Sequence, residues 1–335
     1  MKFEVVSSEA ISKCLVIEEV MEACKQGLID VVTKSALIPQ RHVLPVSNAG
    51  GATLFKPGYV PSCNGLGLKV VSVRSSNPQQ NPPLPSILGV ILLVDEETGA
   101  PKSILDAATI TAIRTAAASA LATKELAKVD SKNLLIFGAG AQAKAHIEYL
   151  MAVRNFTHIS ISNRTPENAQ TLIDWVKETY PSSITTSLLR TQEEIDSAVS
   201  NADVIVTGTN SSSPLFNGNL LKPGVHINAV GAYQVKMQEI DEVTVSKAKT
   251  IADVDPKEIF DTTGDYNIPL QKGLIEKSAI LGQIGELLNG SLKVRESDQD
   301  ITIYKSVGNA VLDIVTAVAV FKKAEELKLS QVCNL

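Results

Sequence analysis

Gly138, Gly140 and Ala143 stand at the spacing G-x-G-x-x-A, with Ala141 and Gln142 filling the interior of the motif. An apolar run (residues 134–137, LLIF) leads into it, and an amphipathic stretch through His146, Tyr149 and Leu150 follows. That order reads as strand, tight turn, helix, the setting in which this spacing binds a dinucleotide. Gly138 permits the turn, Gly140 lets the backbone approach a pyrophosphate, and Ala143 keeps the helix close to the sheet. The free N–H groups and dipole of the helix start favour the phosphate charge. An ordinary glycine-rich βα turn is the competing reading.

The next apolar segment, residues 158–161 (HISI), runs into Ser162-Asn163-Arg164-Thr165. A site for NAD usually carries Asp or Glu near this point to accept from the ribose hydroxyls. No acid is present. Arg164, flanked by Asn163 and Thr165, offers a guanidinium and two polar groups suited to a 2′-phosphate, so NADP(H) is expected over NAD(H). An arginine at a strand end can also be simply solvated.

Two further cations stand in unusual surroundings. Lys69 interrupts an apolar strand (Leu66, Leu68, Val70, Val71), and Arg114 lies among alanines on an otherwise apolar and hydroxylic helix. Burying such a cation unpaired is costly, so an anionic ligand or a nearby acid is expected. A structural salt bridge or a snorkelling side chain would satisfy the same positions. No His/Cys/Asp set has metal-ligand spacing, and no G-x-S-x-G elbow supports serine hydrolysis.

The elements that must hold these residues can be read from hydrophobic period and punctuation. A helix is expected over residues 17–32, then strands over 52–55, 67–73 and 87–95. Residues 93–100 (LVDEETGA) read as a hairpin turn, and 75–85 (SSNPQQNPPLP) as an ordered surface loop. Residues 106–126 form an alanine-rich helix with Asp106 as its cap. From about residue 132, strands at 134–137, 158–162, 204–208 and 225–230 alternate with helices, one of them at 166–180 starting on Pro166. This alternation is the signature of a parallel sheet in a doubly wound α/β fold. Residues 307–328 read as an amphipathic helix that packs back on another element.

Composition narrows the class. At 335 residues and 44% hydrophobic, the chain can bury a large core in one or two domains. Its net charge of −5 comes with no long basic block, which argues against nucleic acid as a partner. Cys14, Cys24, Cys63 and Cys333 lie far apart without a C-x-x-C, so a reduced cytosolic protein is expected. The first residues lack the apolar core of a signal peptide, and no apolar run is long enough for a membrane span. The final four residues are a poor fit to a prenylation box.

Several segments coincide in one order: PQRHVLP (39–45), GLKVVSV (67–73), ITAIRTAAASALATKEL (110–126), FGAGAQA (137–143), SNRTPENA (162–169), HINAVGAYQ (226–234) and KSVGNAVLDI (305–314). Together they resemble the ornithine cyclodeaminase/mu-crystallin family over nearly the whole chain. The N-R-T ending of the second strand resembles the NADPH-using ketimine reductases more than the NAD-using cyclodeaminases. The resemblance implies a Rossmann-type doubly wound sheet (residues 119–304) inserted into a smaller α+β substrate-binding and dimerisation domain (1–118 plus 305–335), and a homodimer.

It also implies small amino or imino acid substrates, with Arg41, Lys69 and Arg114 gripping the carboxylate and His42 beside Arg41. Cofactor contacts would come from Thr111, Thr207, Gly208, Thr209, Val230, Gly231, Ser306, Gly308 and Asn309. Asp313 could hold Lys69 or Arg114. One departure bears on mechanism: Tyr233 stands where cyclodeaminases and the related alanine dehydrogenases carry Asp. A tyrosine, with an ordinary pKa of about 10, is a poor base at neutral pH but can donate a hydrogen bond. Asp241, eight positions on, is too far along the chain to be taken as its substitute. Losing the acid harms a reductase less than a cyclodeaminase. The expected activity is therefore NAD(P)H-dependent reduction of 1-pyrroline-2-carboxylate or 1-piperideine-2-carboxylate, with Lys69, Tyr233 or water as proton source. The rivals are ornithine cyclodeamination, an alanine- or opine-type dehydrogenase, and a mu-crystallin-like ligand-binding role.

Overall fold

The computed structural model of the chain describes residues 2–46, 51–74, 76–180 and 184–334. It divides into two compact units, Met1–Arg114 with Asn309–Leu335, and Thr115–Gly308.

The first unit is built on a seven-stranded sheet. Its order is Gln331–Asn334, Lys2–Val6, Pro101–Asp106, Ile87–Val94, Gly65–Val73, Ala52–Val60, His42–Pro45. Neighbours are antiparallel except Lys2–Val6 against Pro101–Asp106. The Ala310–Leu327 helix lies across the middle strands and packs on the Ile17–Val32 helix. From Ala310 to Val320 every residue but Ala319 is buried, which explains why this segment is apolar almost all round. Alternation along the strands sends Phe55, Leu68 and Val70 to the sheet face away from this helix. Val90 shares that face with its cross-strand partner Val70. Although strands flank Val90 on both sides, it is 40% exposed.

The second unit is an eight-stranded sheet, all parallel, in the order Ile280–Gln283, Lys249–Ala252, Thr302–Lys305, His226–Ala229, Val204–Thr207, Asn133–Phe137, His158–Ser162, Thr185–Leu189. The strands Val204–Thr207 and His226–Ala229 are buried at every residue, as expected of parallel strands covered on both faces. The chain winds outward in both directions from Asn133–Phe137, so the topological switch point lies between that strand and Val204–Thr207. This is the Rossmann-type α/β fold that the alternation predicted.

Local signals behave as their chemistry dictates. Asp106 Oδ1 accepts from Thr109 N at 2.7 Å and caps the Ala107–Leu126 helix. Pro166 opens the Pro166–Thr179 helix. The 75–85 segment contains a short turn at Asn77–Gln79, while Ser75 lies outside the described residues. Among the described residues no helix is long and apolar enough to cross a membrane, and no cluster of His, Cys, Asp or Glu could hold a metal ion.

Candidate active site

In the first unit three cations converge on one carboxylate. Asp313, in the first turn of the Ala310–Leu327 helix, is fully buried. Its Oδ1 accepts from Lys69 Nζ at 3.0 Å and from Arg114 Nε at 3.0 Å. Lys56 Nζ lies 3.4 Å from Oδ2. Lys69 Nζ also donates to Thr111 Oγ1 at 2.6 Å, and that hydroxyl donates to Ala107 O at 2.5 Å. Thr111, read in sequence as a cofactor contact, thus stands in the Lys69 cluster.

Three buried cations face one buried acid, which leaves an excess of positive charge among the described residues. Arg114 Nη1 is buried with no hydrogen-bond partner among them. An unmet donor on a buried guanidinium is costly and suits a ligand carboxylate. Burial pushes the Lys69 ammonium down from 10.5 to about 7; Asp313 opposes that shift, while Arg114 and Lys56 add to it. Burial would raise the Asp313 carboxyl, but the charges of Lys69, Lys56 and Arg114 hold it well below the usual carboxylate range.

Arg41 is half-buried and stands directly before the strand His42–Pro45. His42 pairs with Phe55, so the same register extended by one residue brings Arg41 level with Lys56, which itself pairs with Lys69. Arg41 makes no ion pair with Asp313, and His42 is exposed. Lys56 escaped the sequence reading because the expected strand over 52–55 stops one residue short of it; the observed strand, Ala52–Val60, carries it opposite Lys69.

The second unit carries the glycine turn at the switch point. Gly138 has φ +109°, and a Cβ there would lie 2.7 Å from Gly208 O. Only glycine therefore fits this approach of the two strand-end loops. Gly140 caps the Ala141–Val153 helix with no side-chain hydrogen bond to its first amides. Gln142 Oε1 is buried and unpartnered among the described residues. Ala143 is buried beneath the helix. Arg164 and Thr165 are exposed, and Asn163 Nδ2 donates to Thr165 O at 2.8 Å. Arg164 has no acidic partner among the described residues. Open helix-start amides, an orphaned amide oxygen and a free guanidinium together fit a dinucleotide.

Three buried acids, none foreseen from sequence as a site residue, shape the remaining strand ends. Glu239 accepts from Thr207 Oγ1 (3.0 Å), Thr209 N (2.6 Å), Thr209 Oγ1 (2.8 Å), Gly231 N (2.8 Å) and Ala232 N (3.0 Å). It thereby ties together the loops after Val204–Thr207 and His226–Ala229. The amides of Val230 and Gly231 also donate to Thr207 O, each at 3.0 Å. A Cβ on Gly231 would fall 2.3 Å from the Thr209 backbone oxygen and 2.4 Å from a Glu239 oxygen, so the packing of these loops requires glycine at 231. Asp265 accepts from Glu239 N at 2.7 Å and from the fully buried Lys305 Nζ at 2.7 Å. Asp253 plays a similar part for the late segment, accepting from Ser306 Oγ (2.7 Å), Val307 N (3.0 Å) and Gly308 N (2.9 Å). Asp253 follows the apolar Ile251 and Ala252, a faint signal in sequence; Glu239 and Asp265 have none.

Tyr233 is half-buried, and burial pushes its phenol above the ordinary value. Burial and the Asp265 carboxylate raise Glu239, which Lys305 opposes, but its oxygens are already taken by five donors. Asp241 accepts from Gly218 N and Thr244 N, as the cap of the Glu242–Lys247 helix. His146 bridges Gln142 O and Ser119 Oγ while buried and neutral, its pKa pushed down to about 4 by burial.

Comparison with known proteins gives the family and the fold. The family model described as "Ornithine cyclodeaminase/mu-crystallin family" matches residues 2–328. A Delta(1)-pyrroline-2-carboxylate reductase from Bacillus cereus is 35% identical over 324 residues, 96% of this chain and 97% of that protein. The Thermococcus litoralis Delta(1)-pyrroline-2-carboxylate reductase, solved in complex with NADH and L-proline, superposes with a TM-score of 0.92 at 31% identity, covering 99% of this chain and 100% of that one. An archaeal alanine dehydrogenase dimer with bound NAD has a TM-score of 0.90 at 27% identity, with both chains covered in full. The protein described here belongs to the ornithine cyclodeaminase/mu-crystallin family.

Proposed function

We propose that this protein is an NAD(P)H-dependent reductase of small cyclic ketimine carboxylates, taking 1-pyrroline-2-carboxylate or 1-piperideine-2-carboxylate to proline or pipecolate. The observation that carries this reading is the excess of buried positive charge around Asp313, with Arg114 Nη1 unmet. The relatives named as pyrroline-2-carboxylate reductases support the ring and the reaction type.

Arg114 and Lys69 grip the substrate carboxylate, with Arg41 as the third member of the grip. A reduced nicotinamide, when bound, supplies the hydride for the imine carbon. Lys69 is the proton donor: its ammonium is buried, hydrogen-bonded to Asp313 and Thr111, and has its pKa lowered to about 7, so at neutral pH it can release a proton to the imine nitrogen. Tyr233, with its raised phenol, serves as a hydrogen-bond donor.

Gly138, Gly140, Ala141, Gln142 and Ala143 hold the pyrophosphate. Thr207, Gly208, Thr209, Val230, Gly231, Ser306 and Gly308 form the walls at the strand ends. NADP(H) is preferred over NAD(H) because Arg164, exposed and without an acid beside it, is free for a 2′-phosphate. The first unit binds substrate and makes a homodimer through the apolar sheet face that carries Phe55, Val70 and Val90. Four free cysteines fit a cytoplasmic setting.

The test is cofactor oxidation by the purified protein with each cyclic ketimine and with NADPH or NADH, run beside ornithine with an ammonia readout. Turnover of a ketimine that is lost in Lys69→Ala supports the reading. Ammonia from ornithine without net cofactor oxidation would replace it with cyclodeamination, which Tyr233 at the usual acid position disfavours.

A further inference from the structure

We propose that Lys56 is a positioning residue for Lys69: sharing the Asp313 carboxylate and repelling the ammonium across the strand pair, it sets how readily Lys69 gives a proton to bound imine. The inference rests on Lys69 being the proton donor, as read above.

The geometry is that of a crowded ion cluster. Lys56 and Lys69 are direct cross-strand partners in Ala52–Val60 and Gly65–Val73. Both side chains are buried and both turn to the face on which Asp313 lies. Like charges directly opposite on antiparallel strands repel, and burial strengthens the repulsion because water no longer screens it. A pair of this kind survives only where an acid compensates it. Asp313 divides that compensation: Oδ1 serves Lys69 and Arg114, while Oδ2 lies nearest Lys56.

The other surroundings of Lys69 leave the balance to these groups. The Ile87–Val94 strand presents apolar Ile91 opposite Lys69. The Ala107–Leu126 helix contributes the Arg114 guanidinium and the neutral Thr111 hydroxyl. From the Ile17–Val32 helix comes Cys24, buried against Thr316, with a thiol pushed up to about 12 by burial and therefore uncharged. Asp313 is the one counter-charge on the Ala310–Leu327 helix that pairs with Lys69. Removing the Lys56 charge would leave Asp313 to Lys69 and Arg114, and Lys69 would hold its proton more tightly.

The chemical step balances without a further reactant. Lys69 transfers a proton to the imine nitrogen, forming N–H and leaving a neutral amine, while hydride from the reduced nicotinamide forms C–H and the C=N bond becomes single. Solvent then returns the proton to Lys69.

The experiment is the pH profile of kcat/KM for 1-pyrroline-2-carboxylate at saturating NADPH, in wild type, Lys56→Met, Lys56→Gln and Lys56→Arg. Ionisation of the imine itself is common to all four and cancels in the comparison. The alkaline limb is expected to move up by about one pH unit in both neutral variants and to stay in place in Lys56→Arg. An unmoved limb in the neutral variants, or an equal move in Lys56→Arg, would overturn the proposal while leaving the reductase reading intact. Should wild type turn over no ketimine, the reductase reading fails. The pH dependence of L-proline binding by calorimetry then tests the same Lys56 effect, with the same upward displacement expected and an unmoved midpoint counting against it.

Discussion

Lys69 and Asp313 are 244 residues apart in sequence and 3.0 Å apart in space, and their ion pair is buried on both sides. Asp313 is also the acid that Arg114 and Lys56 share. Replacing it with asparagine leaves three buried cations without a counter-charge. Asp313→Asn is expected to lose about 3–5 kcal/mol of stability, read as a lowered urea midpoint. An unchanged midpoint would mean that the cations have another acid to turn to.

Stability should also depend on pH through Lys69, with a definite sign. Its folded pKa lies at about 7, below the ordinary 10.5. Between these values the unfolded chain binds more protons at this site than the folded one, so this group makes stability rise with pH. Its destabilising effect is full below about pH 7 and vanishes near the ordinary lysine pKa. Lys69→Met should therefore gain most over wild type at neutral pH and least at alkaline pH, the gap closing by up to about 1.4 kcal/mol per pH unit. A constant gap would contradict this account.

Arg164 is exposed just past the end of His158–Ser162 and makes no ion pair among the described residues. Arg164→Ala should raise KM for NADPH by about tenfold to a hundredfold, the loss of a charge-assisted contact, and leave KM for NADH nearly unchanged. Equal effects on both cofactors would remove the 2′-phosphate from the explanation.

Glu239 receives five hydrogen bonds from two strand-end loops. Truncation to alanine strands the buried Ala232 amide and the buried Thr207 hydroxyl, at about 1–3 kcal/mol for each group left unmet, while the Gly231 amide keeps Thr207 O. Glu239→Ala should unfold at lower temperature and bind dinucleotide more weakly, followed by calorimetry and by cofactor fluorescence. Retention of full cofactor affinity would show that these loops hold their shape without it.

Val90 is exposed in the interior of a sheet. If a second copy covers it, Val90→Arg should shift the protein from dimer to monomer in sedimentation, with secondary structure retained. A dimer of unaltered affinity would place the contact elsewhere.

The sequence carried the glycine turn, the alternating strands and helices, and the two out-of-place cations because each breaks or keeps a local pattern. The Ile17–Val32 helix and the His158–Ser162 strand were legible at their observed bounds for the same reason. Short strands such as Lys249–Ala252, Ile280–Gln283 and Thr302–Lys305 were not, since four residues show too little periodicity to separate from loop. Glu239 and Asp265 were invisible, and Asp253 nearly so, for another reason. Their importance lies in backbone amides gathered from distant segments, and no side-chain pattern records where an amide will point. Lys56 lay just beyond the strand expected over 52–55, ahead of Pro57 and Gly58, and its meaning appears only with the register that pairs it with Lys69.

The discontinuous first unit has a consequence for synthesis. Thr115–Gly308 is one unbroken stretch and can fold as it leaves the ribosome, whereas the unit begun by the first 114 residues is completed only by Asn309–Leu335. Until that last segment emerges, Lys56, Lys69 and Arg114 have been made but Asp313 has not. Burying these cations without the carboxylate is costly, so the cluster is complete only once that segment has been made. The acid shared by Lys56, Lys69 and Arg114 is thus the last of the four charges to be made.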